Sequence, residues 1–193
     1  MVDGMRDEKK VALITGITGQ DGFYLAKILS SKNFLVYGTS RYKRPKLKLD
    51  KKTSIKVIKT NYSKKSLEIL LKKLKPDILY NLAGQSYVSR SWELLDQTLT
   101  SQGILVSNIL SASENVCPKI KILNMTSAEI FDHSRKQPFN EKSPRNPYNP
   151  YGCAQLLGQN LIEVSREAKG IWAVNSILFP HESERRAHDF LLP

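Results

Sequence analysis

Cysteine is scarce in this 193-residue chain, which has only Cys117 and Cys153. Neither shows metal-ligand spacing or a nearby histidine partner, so a disulfide scaffold and a metal centre are both disfavoured and two reduced, half-buried thiols are expected. No run of about 18 apolar residues occurs, which excludes a membrane-spanning helix as an expectation. The opening MVDGMRDEKK lacks the apolar core of a signal peptide. Residues 1–10 therefore read as a polar leader, with Met5 an alternative start, on a cytoplasmic protein. Acid is missing locally: no Asp or Glu lies between Asp21 and Asp50, and Arg41–Lys75 holds 14 basic residues against two acids. That segment carries the whole formal charge of +12, and the remainder is neutral. Its only aromatics are Tyr42 and Tyr62. Such a stretch reads as a solvated lysine-rich face rather than a nucleic-acid surface.

The composition, 40% hydrophobic and 25% charged, is that of a globular protein. The length suits one domain, or a domain and a fragment of another. Apolar runs at Val11–Thr15, Phe34–Gly38, Ile55–Ile58, Asp77–Ala83, Ile120–Met125 and Ile171–Phe179 read as strands. Helical spacing appears over Gly22–Ser31, with Phe23, Leu25, Ala26, Ile28 and Leu29 on one face, and over Ser63–Lys75, with Leu67, Leu70, Leu71 and Leu74 inward. A single long helix is expected over Trp92–Glu114. Another is expected over Tyr151–Ala168, with Leu156, Leu157, Leu161 and Val164 inward. Strands that are apolar throughout and alternate with helices predict an α/β fold, a doubly wound parallel sheet of Rossmann type.

Between the first strand and first helix stands Thr15-Gly16-Ile17-Thr18-Gly19-Gln20-Asp21-Gly22, a G-x-x-G-x-x-G loop. Glycine allows the tight turn and lets backbone N–H groups approach a pyrophosphate at the helix N-terminus. Its position makes it a dinucleotide loop rather than a chance triplet. An NAD site usually places an acid about 20 residues further on, for the ribose 2′-hydroxyl. Here the second strand runs into Thr39-Ser40-Arg41. A guanidinium and two hydroxyls suit a 2′-phosphate, so the cofactor expected is NADP.

Two further segments fall at strand C-terminal ends: Met125-Thr126-Ser127-Ala128-Glu129 and Tyr151-x-x-x-Gln155. Ser127 can orient a substrate alcohol, Tyr151 can take its proton, and Glu129 can remove a proton beside a carbonyl. The runs VALITGITGQDGFYLAKIL, YNLAGQSYVSRSWE, TSAEIF, NPYGCAQ and AVNSILFPHESERR together resemble the GDP-mannose 4,6-dehydratase family, within the extended short-chain dehydrogenase/reductases. The resemblance covers about residues 10–190, in order and with matching gaps.

It implies an NADP-dependent lyase that converts GDP-mannose to GDP-4-keto-6-deoxymannose by internal hydride transfer and loss of water. Gly16, Thr18, Gly19, Gln20, Asp21 and Gly22 would hold the pyrophosphate, Arg41 the 2′-phosphate, and Asn61 and Tyr62 the adenosine end. Leu82, Ala83 and Gln85 would line the cofactor and Ser86 the sugar. Ser127, Glu129, Tyr151 and Gln155 would form the catalytic set, with Asn175 toward substrate and His181 and Arg186 toward the cofactor. No metal is implied, and the family's dimers or tetramers imply a homo-oligomer.

The departures are specific. Gln155 stands for the family's lysine, Asn61 for an aspartate, Ala128 for a hydroxyl residue, Asp132 for a glycine and Pro180 for an asparagine. Glutamine can hydrogen-bond a ribose but cannot lower the Tyr151 pKa by charge. A catalytically inactive NADP-binding module with a subunit or regulatory role is therefore the competing reading. The domain division expected is a leader at 1–10, an NADP-binding domain at 11–180, and the start of a truncated substrate-binding region at 181–193. The apolar Phe190-Leu191-Leu192-Pro193 ending reads as a cut through a longer chain.

Overall fold

The structure, a computed structural model, describes residues 9–42, 55–135 and 138–185. Arg186, the tail beyond it, residues 1–8 and most of the basic loop lie outside the described residues. Six parallel strands form one sheet in the order β3-β2-β1-β4-β5-β6. They are β1 (Val11–Thr15), β2 (Leu35–Ser40), β3 (Ile55–Lys59), β4 (Ile78–Asn81), β5 (Lys121–Ser127) and β6 (Ala173–Leu178). The order reverses between β1 and β4, so a crevice opens at the carboxyl ends of those two strands, where open α/β sheets bind ligands.

Helices cover both faces. On one, α1 (Gln20–Ser31) packs Ala26 and Leu29 against Ala12, Ile14 and Val36. On the other, α2 (Lys64–Leu74), α4 (Leu105–Val116) and α5 (Pro150–Lys169) bury Leu67, Leu71, Ile109 and Ile162 against Leu13, Leu79 and Ile122. Local signals set the helix ends. Ser63 caps α2 by accepting from Ser66 N at 3.3 Å, and Lys75 and Gly170 close α2 and α5 in the left-handed conformation. Asn149 caps α5 ahead of Pro150, a residue whose missing N–H costs nothing in a first turn.

Three expectations change. The long helix is α3 (Leu95–Leu99), a π-helical turn at Thr100–Ile104, then α4. Gly103, within that turn, lies against α5: a Cβ there would meet Leu157 Cδ2 at 2.7 Å. On α5 the buried face is Tyr151, Ala154, Gln155, Gly158, Gln159 and Ile162, whereas Leu157 and Val164 are 42% and 60% exposed. Close packing explains this: a Cβ on Gly158 would stand 3.1 Å from both Gln102 O and Val106 Cγ2, so small residues line the contact. Ile28 on α1 is likewise exposed. Of the two thiols, Cys117 is half-buried, its pKa pushed up by burial and then by Asp77, but Cys153 is exposed.

A ladder of side chains crosses the sheet at the level where the crevice begins. Thr15, Asn81, Asn124 and Asn175 are successive register partners on β1, β4, β5 and β6. Thr15 Oγ1 donates to Asn81 Oδ1 at 2.8 Å, Asn81 Nδ2 to Asn124 Oδ1 at 2.8 Å, and Asn124 Nδ2 to Asn175 Oδ1 at 3.0 Å. Asn175 Nδ2 completes the run on the Gln159 carbonyl of α5 at 3.1 Å. The segment before α5 is fastened separately. Phe131 stacks on Phe139 at 5.0 Å, and Arg145 Nη1 donates to Glu163 Oε2 at 3.0 Å.

Asn124→Leu keeps the volume but leaves an Asn81 donor and an Asn175 acceptor buried without partners, at about 1–3 kcal/mol each. The thermal midpoint should fall by about 5–15 °C in differential scanning calorimetry. Burial raises the Glu163 pKa, but Arg145 and Gln159 outweigh it and hold the carboxyl below its usual range. The stabilisation is thus complete at neutral pH and lost as pH falls through the lowered value. Chemical denaturation should find Glu163→Gln less stable than the parent at pH 7 by about 1 kcal/mol, the gap closing as pH falls through the lowered Glu163 pKa.

Candidate functional site

The glycine loop joins β1 to α1 under tight constraint. Gly16 has φ +67°, and a Cβ on it would lie 2.8 Å from the Ala83 backbone. A Cβ on Gly22 would lie 2.6 Å from Gly16 O. The loop closes with Gly19 N donating to Gly16 O at 3.0 Å, and Gly19 gives α1 no side-chain cap. The N–H groups of the first turn of α1 are thus available to an anion. Thr18 and Gln20 are half-buried in this loop. The segment after β6 returns across it: Gln20 Nε2 donates to His181 O at 3.3 Å, and His181 Nε2 lies 2.8 Å from Asp21 Oδ1. Further along, the Arg185 guanidinium sits 3.9 Å from the centre of the Phe23 ring.

One cavity of about 230 Å³ gathers Ser86, Ser127, Glu129, Tyr151 and Gln155. Asp21, Leu82, Ala83 and His181 form its wall toward the loop. Ser127 ends β5 and accepts from Glu129 N at 3.3 Å, which turns the chain into a short 3₁₀ turn, Ala128–Ile130. Tyr151 and Gln155 lie one turn apart at the start of α5, and Gln155 Nε2 donates to Tyr151 Oη at 3.0 Å, buried. Asn149 Nδ2 donates to Glu129 Oε2 at 2.8 Å. The cavity therefore holds a hydroxyl, a carboxylate and a phenol on three adjacent backbone segments, groups able to orient a hydroxyl and to give or take protons.

A second cavity, of about 350 Å³, is lined by Arg41, Asn61, Tyr62 and Ser63 and shares Ala83 and Gly84 with the first. The two form one path across the carboxyl edge of the sheet. Asn61 Oδ1 is engaged by Ser63 N at 3.0 Å, so its amide donors are what it can offer a base. Tyr62 stands at φ +60° with its phenol inside the fold, accepting from Gly16 N at 3.3 Å and bonding Thr39 Oγ1 at 3.0 Å. Burial pushes its pKa up, against the lowering effects of Thr39, Gly16 and Arg41. Thr39 and Ser40 are both buried and hydrogen-bonded within the protein, so the exposed Arg41 is the group that faces outward. The expected pair of phosphate-binding hydroxyls is thereby reduced to a single guanidinium.

Two other expected residues stand apart from the cavities. Asn175 has both ends of its amide in the ladder, and Gln85 is buried with its Nε2 on Tyr87 O at 2.9 Å. Arg186 is outside the described residues. Sequence reasoning missed Gln102, Asn149, Asn124 and the ladder that joins Asn124 to Thr15, Asn81 and Asn175. Asn149-Pro150 carried a helix-start signal, and Asn81 and Asn175 each follow three apolar or aromatic positions while Asn124 follows Ile122-Leu123, but nothing in one strand reveals its partner. Among the described residues no helix is long and apolar enough to cross a membrane, and no group of three or more His, Cys, Asp or Glu side chains can hold a metal.

Solved structures of similar fold include a UDP-glucose 4-epimerase from Brucella ovis in complex with NAD, at TM-score 0.78 and 18% identity over 88% of this chain and 52% of that one. A putative epimerase from Burkholderia cenocepacia aligns at TM-score 0.81 and 19% identity over 94% of this chain and 58% of that one. In sequence, the GDP-mannose 4,6 dehydratase of Cricetulus griseus is 33% identical over 95% of this chain and 53% of its own length. That of Homo sapiens is 33% identical over 97% and 54%. That of Vibrio cholerae is 34% identical over 95% and 52%. The chain thus spans about half the length of the curated relatives it matches. The family model for GDP-mannose 4,6 dehydratase matches residues 13–193. With a Rossmann sheet, a glycine loop under steric constraint and matches over nearly its whole length, this chain belongs to the GDP-mannose 4,6-dehydratase family.

Proposed function

We propose that this chain binds NADP along the path formed by the two cavities and carries the cofactor-side chemistry of GDP-mannose dehydration. The observation that carries the reading is the convergence of Ser127, Glu129, Tyr151 and Gln155 in one cavity next to the glycine loop. The glycines suit a pyrophosphate because a Cβ at Gly16 or Gly22 would strike the backbone of the fold itself, so only glycine permits the tight turn that opens the N-terminus of α1. Arg41 suits a 2′-phosphate by a charge-assisted hydrogen bond, and the absence of acid near it removes the usual NAD partner. NADP, when bound, supplies the acceptor and later the donor of hydride. The protein's own residues handle the protons. Ser127 orients the sugar 4-hydroxyl and Tyr151 takes its proton. Glu129 then removes the C5 proton, acidified by the new 4-keto group, as water leaves C6. Asn175 acts through the ladder rather than on the sugar.

A second reading, an NADP-binding module without turnover, is favoured by one observation. Gln155 offers Tyr151 a neutral amide donor where the family has a cation. The missing charge should cost about 2–4 kcal/mol of transition-state stabilisation, roughly 30- to 1000-fold in rate. Formation of a 4-keto product from GDP-mannose and NADP separates the readings. If neither the parent nor Gln155→Lys forms it while NADP still binds, the module reading stands.

Two outcomes are expected from the first reading. NADP should raise the thermal midpoint more than NAD does, and Arg41→Ala should weaken NADP about 10- to 100-fold in calorimetric titration while leaving NAD nearly unchanged. Equal weakening of both would remove the 2′-phosphate assignment. Gln155→Lys should raise the rate of 4-keto product formation, up to the factor given above. A rate that stays level would show that the charge at position 155 is not what limits Tyr151.

A further inference from the structure

We infer that Asn149 is a positioning residue for Glu129, joining the carboxylate to the same helical turn that carries Tyr151. Its side chain, in a residue only 7% exposed, makes two bonds with opposite roles. Oδ1 accepts from Gly152 N at 2.8 Å, which caps α5, and Nδ2 donates to Glu129 Oε2 at 2.8 Å. Aspartate would serve equally as a cap but brings no donor. A serine or threonine hydroxyl has its donor and acceptor on one oxygen, whereas the amide carries them on two separate atoms. The cap therefore explains half of the side chain, and the bond to Glu129 explains the other half.

The surrounding packing makes this joint stiff. A Cβ on Gly152 would meet the Glu129 carbonyl oxygen at 2.4 Å and Pro147 Cβ at 2.7 Å. The 3₁₀ turn bearing Glu129 thus rests directly on the first turn of α5. Ser127 Oγ holds the same turn from its other side, through Glu129 N at 3.3 Å. With Oε2 engaged by Asn149, Glu129 Oε1 has no protein hydrogen bond among the described residues. Oε1 is accordingly the oxygen left to receive a proton within the cavity that Glu129 and Tyr151 share. A carboxylate not held this way would rotate about its terminal torsions and lose the fixed spacing from Tyr151.

This role rests on the reading of Glu129 as the base, and a partial reaction isolates it. A 4-keto-6-deoxy nucleotide sugar has an acidic C5–H bond. Glu129 Oε1 takes that proton, the C–H electron pair moves into the C4–C5 enolate with charge on the C4 oxygen, and reprotonation from exchanged solvent restores the ketone. In D₂O the atom returned to C5 is deuterium. The step needs no hydride transfer and so does not depend on Gln155.

The complete chain, with NADP and GDP-4-keto-6-deoxymannose in D₂O, is followed by loss of the H5 proton signal. Asn149→Asp keeps a capping oxygen and removes the donor, and Asn149→Gly, also accepted at a helix N-cap, removes the donor without adding charge. The expected result is exchange by the parent, background exchange by Glu129→Gln, and a loss of about 10- to 100-fold in both Asn149 variants. The NADP-induced rise in thermal midpoint should be unchanged in Asn149→Gly. If Asn149→Gly exchanges as fast as the parent while Glu129→Gln does not, Asn149 is a cap and nothing more. If the parent exchanges no faster than Glu129→Gln, Glu129 is not the base, and both the dehydratase reading and the positioning role fall.

Discussion

Buried amides must be paired, and in this fold that requirement ties the sheet to both halves of the site. The four-rung ladder from Thr15 to Asn175 lies at one register level across β1, β4, β5 and β6. Asn81 and Asn124 each donate to the next strand and Asn175 to α5, while each amide oxygen accepts from the strand before, so every rung depends on its neighbours. At one end the Thr15 hydroxyl also accepts from Leu82 N and Ala83 N, at 3.1 and 3.0 Å. That bends the chain after β4 and brings the Ala83 backbone against Gly16. The first glycine of the loop is therefore demanded by the Ala83 backbone, which the ladder holds close. At the other end the run closes on the Gln159 carbonyl, one turn beyond Gln155 on α5. The nucleotide loop and the tyrosine helix are thus referred to a common level of the sheet.

The readable part of this architecture was the part written in consecutive residues. Val11–Thr15 coincides with β1, the parallel sheet follows from strands alternating with helices, and Ser63 and Gly170 mark helix ends by their own chemistry. What escaped was written between segments. A π turn at Thr100–Ile104 follows from how Gly103 meets α5, and no periodicity within the helix announces it. Leu157 and Val164 look like core residues on hydrophobicity, yet α5 turns its glycines and glutamines inward because α4 and the π turn approach too closely for leucine. Ser127, Glu129, Tyr151 and Gln155, read from their positions at strand ends, share a cavity, whereas Asn175, implied toward substrate by the family resemblance, has its amide closed inside the ladder. Strand position alone cannot tell a side chain that faces the crevice from one that holds the crevice together.

The cofactor end shows the same division between type and availability. Thr39, Ser40 and Arg41 together read as a phosphate-binding set. Two of the three are taken up in the fold, and Thr39 bonds a tyrosine whose phenol also receives the Gly16 N–H. Tyr62 consequently links the end of β2 to the glycine loop from the side opposite the ladder. Its backbone, at φ +60°, sits where a side chain is strained, and that strain is held by the bonds its phenol and carbonyl make. Among the described residues of this stretch, Arg41 is then the exposed cation that lines the second cavity.

Gln155 is best understood against this background of satisfied amides. A lysine at that position would need a counter-charge or an anionic ligand, because a buried ammonium without one is costly. A glutamine satisfies the Tyr151 oxygen with a neutral donor and leaves α5 closed whether or not a nucleotide is bound. The substitution therefore gives Tyr151 a neutral partner that needs no counter-charge. Glu129 is held in the same way, by the Asn149 amide, and among the described residues no lysine lines the cavity. Position 155 thus fixes the Tyr151 oxygen by geometry, with a hydrogen bond in place of a charge.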